Sequence, residues 1–183
     1  MANFYHRLLF KRMGWSEQVS IPHRDKCIIC VAPHTSNWDF IIGQLYYRSL
    51  GRTAGFLMKK EWFFWPLGIL FRKMGGIPVY RSKKTSMTDT LAERIKEMEH
   101  FELAVTPEGT RSRVTTWKRG FYFIALKAGI PIQLYDLDYK NKVIRCTKEL
   151  MPTGDVDADM REIMEYYKNA NAKYPRKFAI EEI

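Results

Sequence analysis

The spacing of apolar positions changes along this chain, and each change marks an element. Residues 26–32, Lys-Cys-Ile-Ile-Cys-Val-Ala, form a short apolar run with β-branched residues that closes at Pro33 and predicts the first, buried strand. Ser36 and Asp39 fit the S-x-x-D form of a capping box, and Trp38, Ile41, Ile42, Leu45 and Tyr46 follow helical spacing up to Gly51. Residues 54–58 and 76–81 read as two more strands. Between them residues 62–71 are aromatic and apolar, but Pro66 and Gly68 argue against one uninterrupted helix there. A second capping box, Ser86 with Asp89, opens a helix that carries Met87, Leu91, Ile95 and Met98 on one face and ends near His100. Residues 101–105 predict a strand that runs into the turn Thr106-Pro107-Glu108-Gly109. Residues 121–128 predict a helix stopped by Gly129 and Pro131. Strands over 130–139 and 142–147 follow, then a helix over 157–167 with Met160, Ile163, Met164 and Tyr167 on one face. A polar tail, 169–176, closes the chain.

Strands alternating with helices at this spacing predict an α/β fold, a mostly parallel or mixed sheet covered by helices on both faces. With 183 residues, 46% of them apolar, and no repeat or composition shift, the chain reads as a single domain over 1–183. That composition excludes disorder and collagen-like repeats. Three cysteines, Cys27, Cys30 and Cys146, are sparse and odd in number, and no signal-peptide pattern opens the chain, so a reducing compartment is expected. Cys27 and Cys30 have C-x-x-C spacing, but on a strand they point to opposite faces and suit core packing, not metal or redox chemistry. The four histidines and three cysteines make no ligand set, so no metal is expected. The longest apolar stretch, 62–71, is half the length needed to span a bilayer.

Charge adds a first functional constraint. The formal net charge is +10, which favours an anionic partner: nucleic acid, lipid headgroups or phosphorylated small molecules. Many of the cations bracket short greasy segments. Arg7, Lys11 and Arg12 lie within residues 4–15, and Lys59, Lys60, Arg72 and Lys73 flank 62–71. Such patterns suit an anionic membrane surface, with aromatic rings at the interface and basic side chains reaching phosphates. No RNA-binding signature or zinc-finger spacing supports nucleic acid.

Candidate chemistry gathers at strand ends. His34 and Asp39 straddle a predicted strand-to-helix junction. In one continuous helix residues five apart differ by about 140°, but a loop at His34 lets the chain fold back and bring them together. A carboxylate then fixes the imidazole tautomer and leaves the other ring nitrogen free to take a proton from a hydroxyl. The residues alone leave a second reading open, in which Asp39 completes the cap and His34 is an ordinary loop histidine. Glu108, Gly109, Thr110 and Arg111 follow another strand and place a carboxylate, a permissive glycine, a hydroxyl and a guanidinium where α/β sheets bind ligands. Arg111 offers a fork for phosphate oxygens, and Glu108 suits either an acceptor hydroxyl or that arginine. Arg81 ends the strand that begins after Gly75, and it too is set to reach a site at the strand ends.

Taken in order, these segments resemble the glycerolipid acyltransferase family. Its His-x4-Asp block matches His34 and Asp39, and its strand ending in arginine matches Ile77-Pro78-Val79-Tyr80-Arg81. Its Pro-Glu-Gly-Thr-Arg-Ser block matches 107–112 without a change, and its Gly-hydrophobic-Pro-hydrophobic block matches Gly129-Ile130-Pro131-Ile132. Lys118 and Gly120 stand where the family commonly has Lys-x-Gly. The resemblance covers about residues 27–139. It implies an O-acyltransferase of phospholipid biosynthesis that moves a fatty acyl group from acyl-CoA or acyl carrier protein, the donor substrates, to a hydroxyl of a lysophospholipid such as 1-acylglycerol 3-phosphate. It implies no cofactor. It also implies that His34 is the general base and Asp39 its orienter, with Arg81, Glu108, Gly109, Thr110 and Arg111 at the acceptor. The absence of a G-x-S-x-G elbow fits direct attack without an acyl-enzyme.

Three departures matter. Pro33 stands where the family often has Asn before its histidine, and Asn37-Trp38 precede Asp39 in place of the usual filler, which bears on the acceptor. Only about 25 residues precede the first predicted strand, too few for a long docking helical pair, so membrane contact falls to 4–15 and 59–73. The fourth block continues Gln133-Leu134-Tyr135-Asp136 where apolar residues are usual, which bears on acyl-chain or acceptor fit. The expected location is cytoplasmic, peripherally attached to the inner face of the cell membrane. Oligomeric state is not readable from the sequence. Two alternatives stay open: an acceptor such as an acyl-amino-acid lipid, or a non-catalytic lipid-surface binding protein on this scaffold.

Overall fold

A computed structural model of the protein describes residues 2–79 and 87–180. Helix α1 (Ala2–Arg12) is followed by β1 (Ser16–Val19), β2 (Lys26–Ala32), α2 (Asn37–Ser49) and β3 (Gly55–Lys59). A short 3-10 helix (Lys60–Trp62) and α3 (Leu67–Lys73) lead to β4 (Gly76–Val79), α4 (Met87–Glu97) and β5 (Phe101–Val105). Then come α5 (Gly120–Ala128), β6 (Ile132–Asp138), β7 (Val143–Leu150), α6 (Val156–Tyr166) and a second 3-10 helix (Pro175–Lys177).

The strands form one sheet in the order β1-β7-β6-β2-β5-β3-β4. All described pairings are parallel except β6 with β7, so the sheet is mixed. Strand β2 is central, with β5 on one side and β6 on the other. Its alternate side chains serve two cores, which is why it reads as an uninterrupted apolar run. Ile28 and Cys30 pack with Ile95, Phe121, Ile124 and Ile163 beneath α4, α5 and α6. Cys27 and Ile29 join Phe10, Ile42, Tyr46 and Leu137 beneath α1 and α2. The two thiols therefore face opposite ways, as expected, and all three cysteines are buried and free.

Several boundaries and faces correct the sequence reading. The first strand is β1, not β2. Its four residues are exposed and lie along the sheet edge parallel to β7, so no apolar run announces them. Within α2, Ile42 and Tyr46 face the core as predicted, but Trp38 and Ile41 are 45% and 41% exposed. Met98 lies beyond the end of α4 and is exposed. The capping serine Ser86 falls outside the described residues. Pro66, at the N-cap of α3, does separate that helix from the 3-10 turn, whereas Gly68 lies within α3. Gly75 makes the turn into β4 at φ +95, where a Cβ would sit 2.6 Å from the Ala54 carbonyl oxygen, so no side chain is tolerated. The polar tail is folded onto the body: Ala172 and Ala179 are buried, and the Phe178 ring lies 6.3 Å from Trp117.

Candidate active site

The loop between β2 and α2 carries His34, and its conformation follows from one carboxylate. Ser36 caps α2 by accepting the Trp38 N–H at 3.0 Å. Asp39, on the first turn, reaches back so that its Oδ2 accepts the N–H groups of Thr35 and Ser36 at 2.7 and 2.8 Å. This closes the capping box predicted from the sequence. The same Oδ2 lies 3.3 Å from His34 Nδ1. The contact is an ion-pair distance without hydrogen-bond geometry, and Nδ1 is buried with no hydrogen-bond partner. The other carboxylate oxygen of Asp39 accepts the Tyr139 hydroxyl at 2.5 Å. Cap and imidazole neighbour, posed as alternatives by the sequence, are thus served by one side chain.

Glu108 follows β5 and is 5% exposed. Its Oε1 accepts the His34 N–H at 2.8 Å, which ties the turn after β5 to the histidine loop. Glu108 does not hold Arg111; the guanidinium of Arg111 instead donates to the side-chain oxygen of Asn37. Gly109 adopts a left-handed φ of +63, with Lys118 packed where a Cβ would be. The Thr110 hydroxyl accepts the Ser112 N–H at 3.2 Å. Arg81 lies outside the described residues.

Burial pushes the Glu108 carboxyl up to about 7, against the His34 N–H, which pulls it down. Its Oε2 has no partner among the described residues. Such a group keeps its proton in the fold after the unfolded chain has lost its own. Stability therefore falls as pH climbs from the ordinary glutamate range to about 7, and levels off above it. Glu108→Gln is expected to abolish this slope, recovering on the order of 3 kcal/mol at pH 8 relative to pH 4.5. Denaturant melts of both proteins at the two pH values measure it; parallel curves would show that Glu108 ionises freely.

His34, Asn37, Asp39 and Arg111 stand on a cavity of about 760 Å³ that runs between α2 and the sheet. Its inner surface is predominantly apolar, with Ile29, Tyr135, Leu137 and Ile144 at the sheet side, Tyr46 on α2, and Phe56 and Leu57 of β3. Gly43 of α2 also lines it, and a Cβ there would meet nothing within 4 Å. A volume of this size is typical of a ligand site.

Comparison with known families decides what this arrangement belongs to. The family model described as Acyltransferase matches residues 16–133, roughly two-thirds of the chain. The chain is an acyltransferase-family member. A search of the curated proteins finds no match. Among solved structures, the 1-acyl-sn-glycerophosphate (LPA) acyltransferase PlsC from Thermotoga maritima is similar in fold, with a TM-score of 0.59 and 19% identity. The likeness covers 93% of this chain and 80% of that one.

The acyltransferase match contains His34, Asp39 and residues 108–111 but stops before Tyr139. Tyr139 was missed by sequence reasoning. It lies just beyond β6 and carries no pattern of its own, and only the fold brings its hydroxyl to Asp39. Asn37 was missed as well, as helix filler between two motif residues. The departures in the fourth block take different roles. Gln133 is a structural residue, donating to the Pro22 carbonyl at 3.1 Å and to Glu149 at 3.0 Å. Tyr135 lines the cavity, and Asp136 pairs with Arg145 at 2.6 Å. No described helix is long and apolar enough to cross a membrane.

Proposed function

We propose that this acyltransferase moves a fatty acyl group from the thioester of acyl-CoA or acyl carrier protein to a hydroxyl of a phosphate-bearing lysolipid such as 1-acylglycerol 3-phosphate. The observation that carries the reading is the apolar cavity opening beside His34, with Asp39 behind the imidazole and Arg111 at the rim. In this reading the fatty chain lies along the cavity and its thioester carbonyl sits by the histidine. The acceptor hydroxyl gives its proton to Nε2 of His34 as its oxygen attacks the carbonyl carbon. The C–S bond then breaks, and the departing thiolate takes the proton back from the imidazolium. Asp39 steadies the charged ring, and Arg81, Glu108, Gly109, Thr110 and Arg111 bind the acceptor, with the guanidinium groups on its phosphate. The chemistry needs no cofactor beyond the two substrates. Thiol release from acyl-CoA or acyl carrier protein, followed over a panel of lysolipids, tests it. Thiol release that no acceptor accelerates would refute it.

Gly43 offers a direct probe of where the chain lies. A Cβ at Gly43 would meet nothing within 4 Å, so Gly43→Leu adds apolar bulk at the cavity wall and raises helix propensity. It is expected to cut kcat/KM for long acyl chains by at least about tenfold relative to short ones. An unchanged chain-length profile would put the acyl chain elsewhere.

The same reading has the enzyme work on the inner face of the cell membrane. Phe4, Tyr5, Leu8 and Leu9 of α1 are exposed, as are Trp62, Phe64, Trp65, Ile69 and Leu70 around α3. Trp65, 82% exposed, is the most prominent. Lys59, Lys60, Arg72 and Lys73 flank the second group in sequence. Replacing Trp62, Phe64 and Trp65 by Ser is expected to weaken binding to phosphatidylglycerol vesicles at least about tenfold with an unchanged melt. Undiminished vesicle binding would assign the contact to α1.

A further inference from the structure

A second hollow, of about 460 Å³, lies beside the first and has different chemistry. Its wall includes Ser36 and Asn37 at the start of α2, Arg111 and Ser112 after β5, and Tyr174 and Lys177 from the C-terminal segment. Among the described residues, no carboxylate lines it. Arg111 and Asn37 belong to both hollows, so this one adjoins the cavity that holds His34. We propose that Lys177 and Tyr174, supplied from outside the segment that defines the family, join Arg111 in binding a phosphate group in this hollow.

Three observations converge on an anion. Arg111 presents a planar fork and Lys177 a point charge, the two side chains that bind phosphate most often. Both line the hollow beside the start of α2, where Asp39 already takes up the Thr35 and Ser36 N–H groups, so the two side chains supply the positive charge. Ser112 and Tyr174 supply hydroxyl groups in the same wall. Lys173 adds a third cation nearby, its Nζ 4.8 Å from the ring of Trp38.

The C-terminal segment is held in place. The Tyr174 N–H donates to the buried Thr35 hydroxyl at 3.3 Å, and the Tyr139 N–H donates to the Asn171 carbonyl at 2.9 Å. Lys177 therefore comes from a backbone packed against the histidine loop itself. A phosphate there is bound next to the reacting centre, so it belongs to one of the two substrates. This assignment to a substrate rests on the acyl-transfer reading; binding of the phosphate itself does not.

Calorimetric titration of the full chain with inorganic pyrophosphate tests the site. Wild type is expected to bind, Lys177→Gln to bind at least tenfold more weakly, and Lys177→Arg to recover most of the loss. Absence of binding to wild type, or equal affinity in Lys177→Gln, would overturn the proposal. Steady-state kinetics of Lys177→Gln then name the source of the phosphate. A KM rise of at least fivefold for lysophosphatidic acid that disappears with monoacylglycerol assigns it to the acceptor. A rise for acyl-CoA that disappears with a phosphate-free thioester such as acyl-N-acetylcysteamine assigns it to the donor. An unchanged KM for both removes the substrate assignment. Pyrophosphate binding that depends on Lys177 in a protein without acyl transfer would refute the reaction and keep the site.

Discussion

His34→Ala is expected to lower kcat for acyl transfer by about 10²–10⁴-fold, the usual contribution of a positioned general base. The melting temperature should stay within a few degrees of wild type. The imidazole occupies a loop, its side chain is 19% exposed, and Nδ1 makes no hydrogen bond whose loss would be felt in the fold. The link that ties this loop to Glu108 uses the His34 backbone N–H, which the alanine variant retains. Activity and stability should therefore separate cleanly, and kcat measured beside a thermal melt shows whether they do. Undiminished turnover in His34→Ala would end the general-base assignment.

Asp39 should behave differently, because two jobs converge on it. Asp39→Ala removes the acceptor for the Thr35 and Ser36 N–H groups and leaves the Tyr139 hydroxyl unpaired. Together these should cost about 3 kcal/mol, from a lost cap and a buried unsatisfied donor. For a chain of this size that lowers the melting temperature by roughly 10 °C. Asp39→Asn keeps an oxygen for the cap but loses the negative charge beside His34. It should retain most of the stability and still lose activity by about 10³–10⁴-fold, as expected when a histidine loses the carboxylate that fixes its tautomer. Parallel melts and kcat values for the two variants decide between the readings. Near-wild-type turnover in Asp39→Asn would reduce Asp39 to a helix cap.

The parts of this fold legible in the sequence are those where local pattern and tertiary role agree. Strand β2 is apolar on both faces because both faces are buried, and the Ser36–Asp39 capping box appears in the structure as the sequence predicts. β1 was not legible because a four-residue exposed edge strand carries no periodic signal; its pairing with β7 is a property of the distant partner. The outward turn of Trp38 and Ile41 was hidden for a similar reason, since apolar residues on a helix do not say which of them meets the sheet. At the site, adjacency in sequence revealed His34 with Asp39 and 108–111 as a cluster. Tyr139 is 100 residues from Asp39, and the contact from Tyr174 to Thr35 spans 139 residues. Only the folded chain brings them together.

His34 is attached to the end of β2, the strand with neighbours on both sides and cover above and below. Local opening is least frequent where burial and pairing are greatest, so the histidine is anchored to the stiffest part of the molecule. On the acyl-transfer reading, the bond is therefore exchanged against a fixed anvil rather than on a yielding edge.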